Sequence, residues 1–154
     1  MLFNEKELGY MIELIWRIHF LSKKAFELEL KKLDLTFPQF GALKVLSYKE
    51  NISQRELAEI METDTTNVMV VCDSLEKKGL IKRKTNPGDR RVNLVVCTDE
   101  GKARFKKVMP LLDEWAKRFV SLLDKREISS IVPILERMYN SIKKEIADGT
   151  YDRN

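Results

Sequence analysis

The stretch Asp64-Thr65-Thr66-Asn67-Val68-Met69-Val70-Val71-Cys72-Asp73-Ser74-Leu75-Glu76-Lys77-Lys78-Gly79-Leu80-Ile81-Lys82-Arg83-Lys84-Thr85-Asn86-Pro87-Gly88-Asp89-Arg90-Arg91-Val92-Asn93-Leu94-Val95-Val96-Cys97-Thr98 decides the fold. It reads as a capped helix, a strand, a tight basic turn and a second strand. Asp64 stands at the N-cap, and Val68, Val71, Cys72 and Leu75 recur at helical spacing. Gly79 is placed as a C′ glycine, Leu80 as the apolar residue after it, and Lys77 and Lys78 lie on the negative end of the helix. Pro87-Gly88 supplies turn chemistry. Beyond it Val92, Leu94 and Val96 alternate with Asn93, Val95 and Cys97, a period-2 pattern that Val95 weakens. Between Lys77 and Arg91 the local charge is +6, whereas the whole chain carries +4. Charge gathered on one hairpin is the footprint expected of a nucleic-acid surface. The same charge also suits a hairpin that is merely well solvated.

Working backwards, Ser53-Gln54-Arg55-Glu56 has the spacing of a capping box and opens a short helix with Leu57, Ala58, Ile60 and Met61 facing inward. A polar turn, Glu62-Thr63, joins it to the helix at Asp64, giving a helix-turn-helix pattern that the hairpin turns into a winged helix. Before that, Thr36-Phe37-Pro38-Gln39 combines a capping box with a first-turn proline and starts a helix ending near Glu50. Residues 5–33 form one long helix that is apolar on two faces: Leu8, Met11, Ile12, Ile15, Ile18 and Leu21, then Leu14, Phe20, Phe26, Leu28 and Leu30. A helix apolar on two faces needs cover on two sides, which predicts a second subunit.

Working forwards, Thr98-Asp99-Glu100-Gly101 starts a helix to about Leu123, with a stripe through Phe105, Val108, Met109, Leu112, Trp115, Phe119 and Leu123. Pro110 predicts a bend within it rather than a break. Asp124-Lys125-Arg126-Glu127 caps the last helix, which carries Ile128, Ile131, Val132, Leu135, Met138, Ile142 and Ile146.

A length of 154 residues and 44% hydrophobic content suit one globular domain. No uncharged apolar run approaches the roughly 18 residues of a membrane span. Glu5 and Glu7, with no apolar run ending in a small-residue cleavage site, argue against a signal peptide, so a cytoplasmic protein is expected. In that compartment Cys72 and Cys97 are not expected to form a disulfide, and two Cys with one His leave no zinc pattern. One His, no glycine-rich phosphate loop and scattered carboxylates offer no catalytic constellation, so no enzyme and no cofactor are expected.

Leu75-Glu76-Lys77-Lys78-Gly79-Leu80-Ile81, Asp89-Arg90-Arg91, Leu94 to Thr98 with Gly101, and Ser53-Gln54-Arg55-Glu56-Leu57-Ala58 together resemble the MarR family (multiple antibiotic resistance type) of winged helix-turn-helix transcription regulators. The resemblance covers nearly the whole chain. It implies a mainly α fold with a small β-hairpin wing. The expected layout is a single domain, 1–154, with a DNA-binding lobe at 36–98 and dimerisation helices at 1–34 and 99–148. It further implies a homodimer on a palindromic double-stranded DNA operator, acting as a repressor and released by a small lipophilic or phenolic effector bound between the dimerisation helices and the reading head. Four positions depart from the family pattern. Glu62 replaces the usual glycine between the motif helices, Thr63 an apolar residue, Val70 a polar or basic base reader, and Cys97 a leucine.

The expected DNA contacts follow from side-chain chemistry. Thr65 and Thr66 suit phosphates or base edges, Asn67 an adenine edge, and Met69 and Val70 a thymine methyl. Arg91 and Arg90 would reach a narrow minor groove, with Asp89 orienting an arginine there. Gln54, Arg55, Lys82 and Lys84 are candidates for phosphate. Trp16, His19 and Phe20 on the first helix are the candidate ligand-pocket residues. Two other readings stay open: a winged helix that binds protein without an operator, and a redox regulator acting through Cys72 or Cys97. The second would need an accessible thiol of lowered pKa, and the first helix carries no cysteine of the kind found in peroxide-sensing members of the family.

Overall fold

Side-chain caps dictate where the helices begin. In the computed structural model, which describes residues 4–89 and 92–150, the elements run α1 (Glu5–Lys31), α2 (Phe37–Tyr48), β1 (Ile52–Ser53), α3 (Gln54–Met61), α4 (Thr65–Lys77), β2 (Ile81–Thr85), β3 (Asn93–Cys97), α5 (Asp99–Phe119) and α6 (Lys125–Ala147). The architecture is the mainly helical winged helix-turn-helix expected. The capping boxes at Thr36/Gln39 and Asp124/Glu127 are both complete. At Ser53 only one arm forms: its hydroxyl accepts from the Glu56 N–H at 3.1 Å. Helices α2 and α5 stop a little short of the expected Glu50 and Leu123, and α5 runs through Pro110 without interruption.

Gly79 closes α4. It adopts φ +71°, and its N–H donates to Glu76 O while the Leu80 N–H donates to Leu75 O, each at 2.9 Å. This pair of hydrogen bonds is the Schellman arrangement, and it throws the fully buried Leu80 back against the end of its own helix.

The sheet has an unanticipated member. Its order is β1-β3-β2, antiparallel, with Ile52 opposite Val95 and Arg83 also opposite Val95 on the other side. The alternation in β3 also resolves differently from the expected apolar set. Val95 and Cys97 enter the core, Val96 is buried as expected, and Leu94 is only half-buried. A strand apolar at nearly every position does not announce which face is inside. In α3, Leu57 and Ala58 are buried as expected, but Ile60 is exposed.

The chain divides into two compact units, Met1–Trp115 and Ala116–Asn154. In the first, Phe26 of α1 sits 5.3 Å edge-on to Phe40 and 5.3 Å from Trp115, beside Leu30, Leu43, Leu46 and Leu75. The α1 residues before Phe26 are mostly exposed, with Trp16 at 75%. In the second unit, α6 has no buried residue, although Ile131, Leu135, Ile142 and Ile146 recur along it.

Two substitutions test this frame. A Cβ on Gly101 would lie 2.0 Å from Leu80 O and 2.8 Å from Cys97 Sγ. Alanine ordinarily gains about 1 kcal/mol over glycine inside a helix, but here a clash with backbone outweighs that. Gly101→Ala should lower the unfolding free energy by about 3 kcal/mol, read from urea midpoints. At Glu62, φ 52° and ψ 47° place a bulky residue in the left-handed region. Relief of about 1–2 kcal/mol of backbone strain against the added chain entropy of glycine predicts that Glu62→Gly is neutral or stabilising by up to about 1 kcal/mol.

Candidate nucleic-acid interface

Helical spacing sorts α4 into two faces. Val68, Cys72 and Leu75 point into the core with no exposed surface. Thr65, Thr66, Met69, Val70 and Asp73 form the opposite, exposed face. Val70 keeps 64% of its surface exposed and Met69 48%. Large apolar side chains left in the open on an otherwise well-packed helix suit apolar partners such as thymine methyls. Asp64 caps the helix, accepting from the Asn67 N–H at 2.8 Å. The Asn67 amide also donates to the second Asp64 carboxylate oxygen. In the free protein Asn67 is therefore folded back on the cap, and it must let go of Asp64 to meet a base edge.

The hairpin is sorted by the period of two. Lys82 and Lys84 are exposed on the outer face of β2, and Ile81 and Arg83 turn towards α4. The wing turn rests on Asn86, whose side-chain oxygen accepts from the Gly88 N–H at 2.9 Å. Its own N–H donates to Val92 O at 2.9 Å, and Asp89 O accepts from the Val92 N–H at 3.0 Å. The turn thus uses an Asx contact in addition to Pro87-Gly88. Arg90 and Arg91 lie outside the described residues.

Of the other candidates, Arg55 is exposed and pairs with Glu59 across one helical turn at 3.2 Å. Gln54 is turned inward. Its amide nitrogen is buried, close enough to Cys72 to act on the thiol, so that side chain is not displayed to a phosphate. A groove of about 1190 Å³ opens between α1, α2 and α4, lined by His19, Lys23, Phe37, Gln39, Val71 and Ser74 among others. His19 reaches it. Trp16 and Phe20 do not line it and are strongly exposed, so of the three only His19 faces this groove.

Three contacts were not legible in the local sequence. Gln39, only 5% exposed, donates to Ser74 Oγ at 2.8 Å, joining α2 to α4. Lys78 donates to Asp34 O at 2.5 Å and pairs with the Asp34 carboxylate at 3.0 Å, which takes it out of the basic surface. Arg83 pairs with Asp73 and Glu76. Partners 35 and 44 residues apart leave no local pattern.

Both thiols are free and buried. Burial pushes the Cys72 thiol up, with Gln54 pulling back less strongly. Burial likewise raises Cys97 against a weaker pull from Ser47. Among the described residues no three His, Cys, Asp or Glu side chains are placed to hold a metal, and no helix is long and apolar enough to cross a membrane.

A two-helix motif with an exposed second helix and a three-stranded wing defines the winged helix-turn-helix class. Comparison with known proteins agrees. A sequence profile of the MarR family matches residues 35–92. The chain is 31% identical over 102 residues to the uncharacterised HTH-type transcriptional regulator YdcH of Bacillus subtilis, covering 64% of this chain and 69% of that one. It is 31% identical over 109 residues to the HTH-type transcriptional repressor MdtR of the same organism, covering 71% and 70%. The crystal structure of a mutant MarR from Escherichia coli complexed with operator DNA superimposes with a TM-score of 0.80 at 25% identity, over 90% of this chain and 98% of that one. The chain belongs to the MarR family of transcription regulators.

The raised thiols give a prediction with a definite sign. A group held neutral in the fold stabilises it fully at neutral pH, and that contribution is lost as pH rises through the raised value. Native protein at pH 7 should therefore leave both thiols unreacted with a thiol reagent over the time in which the urea-unfolded chain reacts at two. Its stability should fall on the alkaline side, and Cys72→Ser with Cys97→Ser should flatten that fall. A fast native burst of one thiol would reinstate the redox reading.

Proposed function

We propose that the protein binds a palindromic operator as a homodimer and represses transcription, with α4 in the major groove and the wing in the flanking minor groove. The observation that carries this is the shared exposure of two surfaces. The uncharged face of α4 (Thr65, Thr66, Met69, Val70) stands free of packing, and Lys82 and Lys84 alternate outward on the adjoining strand. One surface offers base contacts and the other phosphate contacts, the division a sequence-reading protein needs. Arg55 joins the phosphate set, and Gln54 contributes through its backbone N–H in the first turn of α3 rather than its side chain. Asn67, released from Asp64, reads an adenine, while Arg90 and Arg91 enter the minor groove with Asp89 beside them. The name of the relative MdtR and the operator complex of the E. coli structure support this direction.

The dimer is argued from apolar surface. Leu8, Ile12, Ile18 and Leu21 on α1, and Ile131, Leu135, Ile142 and Ile146 on α6, are exposed. A helix stripe of this kind is normally covered. Segments 1–34 and 99–148 are the proposed dimerisation helices and 36–98 the DNA-binding lobe. Two-fold symmetry then sets half-sites about 34–36 Å apart. The groove beside His19 is the proposed effector site, suited to a small lipophilic or phenolic molecule whose ring lies on Phe37 and Val71 and whose anionic or hydroxyl end meets Lys23 or His19.

Selection of bound duplexes from a random pool should return an inverted repeat, and sedimentation should give a dimer. Lys82→Ala should weaken binding to all sequences alike and lower the slope of log K against log salt by about 0.9. Asn67→Ala should cost about 1–3 kcal/mol and relax preference at one base position. Arg91→Ala should weaken operator binding strongly with the dimer intact. A monomer, or affinity for every duplex unchanged by salt, would sink the reading and favour a protein-binding winged helix.

A further inference from the structure

Arg83 sits in the middle of the basic hairpin, between Lys82 and Lys84, yet it is placed unlike either. Strand alternation turns it to the face of β2 that meets α4, and only 20% of its side chain is exposed. Its guanidinium donates to Asp73 Oδ1 at 2.5 Å and to Glu76 Oε2. Its backbone N–H donates to the other Glu76 oxygen, Oε1, at 3.0 Å. One carboxylate thus grips both the main chain and the side chain of the same strand residue. Such a contact fixes the strand itself, and the planar fork of arginine makes it directional. Asp73 lies on the exposed face of α4, one turn beyond Met69 and Val70. Without a cation beside it, that face would turn an uncompensated carboxylate towards phosphate.

We infer that Arg83 is a positioning residue for DNA recognition, which clamps the wing to the recognition helix through Asp73 and Glu76 and makes no phosphate contact of its own. The clamp neutralises Asp73 and couples the angle of the wing to that of α4. A major-groove helix and a minor-groove arginine can engage one site together only if the spacing between them is preset. The inference rests on the proposed DNA-binding reading.

The test uses the full-length protein. Arg83→Met keeps the packing stem and removes the donors. It should weaken operator binding about tenfold with the salt slope unchanged, whereas a lost phosphate contact lowers that slope by about 0.9. Combined with Arg91→Ala it should cost little more than Arg91→Ala alone, because coupled residues are not additive. A slope reduced by about one, or full additivity, overturns the inference. Asp73→Asn with Glu76→Gln provides a second arm that keeps Arg83. Two negative charges are removed, so electrostatics alone predicts tighter binding to all DNA. The clamp predicts instead that the ratio of operator to non-specific affinity falls, and a ratio that holds or rises overturns it. Amide exchange in the DNA-free protein should quicken at Thr85, Asn86 and Val92 in both variants, and unchanged exchange there also overturns it. If the wild type bound no duplex, the function reading would fail, while exchange would still decide whether the clamp orders the wing.

Discussion

Four segments of this chain meet at one peptide, Gly79-Leu80. The α4 helix ends there with Gly79 at φ +71°, a conformation that glycine adopts without the strain a side chain would add. The carbonyls of the two residues then become the docking points for everything downstream. Leu80 O accepts from the Thr98 N–H at 3.1 Å, and Gly79 O accepts from the Thr98 hydroxyl at 2.7 Å. The same hydroxyl accepts from the Gly101 N–H at 3.0 Å, so Thr98 caps α5 while tied to the end of α4. Gly101 carries no Cβ because Leu80 O occupies its place. The end of α4, the start of β2, the end of β3 and the start of α5 are therefore tied together by one small group of hydrogen bonds. Leu80 is fully buried, so leaving its carbonyl unpaired would be costly, and Thr98 supplies the partner.

From that junction the charge on the hairpin acquires a meaning that a count does not supply. A balance of +6 between Lys77 and Arg91 treats all the cations alike. The structure separates them. Lys78 is committed to Asp34 and Arg83 to Asp73 and Glu76, whereas Lys82 and Lys84 face outward. Burial works against the Arg83 charge, but its hydrogen bonds to Asp73 and Glu76 outweigh that and raise its pKa. The basic surface is smaller than the basic sequence. Beside it on α4 stand the uncharged Thr65, Thr66, Met69 and Val70, with the Asp73 carboxylate already paired to Arg83, which is the combination expected when electrostatics brings DNA in and apolar or hydroxyl groups discriminate among sequences.

The parts of this arrangement readable from sequence are those whose cause lies within a few residues. Thr36 with Gln39, Asp124 with Glu127, and Gly79 before Leu80 are local bargains between a side chain and a nearby N–H or carbonyl, and each formed as its spacing implied. The two-residue strand β1 could not be read, because its pairing with β3 joins Ile52 to Val95 across the whole helix-turn-helix. The inner face of β3 was hidden by apolar residues on both sides of the strand. Gln54 is a phosphate candidate on side-chain chemistry and its place at the start of α3 alone. Its inward turn depends on space beside Cys72 that only packing reveals. Arg83 was concealed by its neighbours, since three consecutive cations read as one basic run until the strand period divides them.

Gln39 shows how a local signal and a distant one can share a side chain. Its Oε1 accepts from the Thr36 N–H at 3.0 Å, completing the cap of α2. Its Nε2 donates to Ser74 across the interface with α4. An amide has both an acceptor and donors, so both roles are filled at once; glutamate would keep the first and lose the donor for the second. Lys78 closes the ring by bonding Asp34 in the turn after α1, where φ is +53°. The start of α2, the end of α1 and the last turns of α4 are thus joined by polar contacts, on the opposite flank of α4 from the Arg83 clamp. Gln39 and Ser74 also line the groove beside His19. A molecule seated there would meet the hydrogen bond that joins α2 to α4. Its effect on DNA affinity would then be fixed by whether it binds better with that bond made or broken.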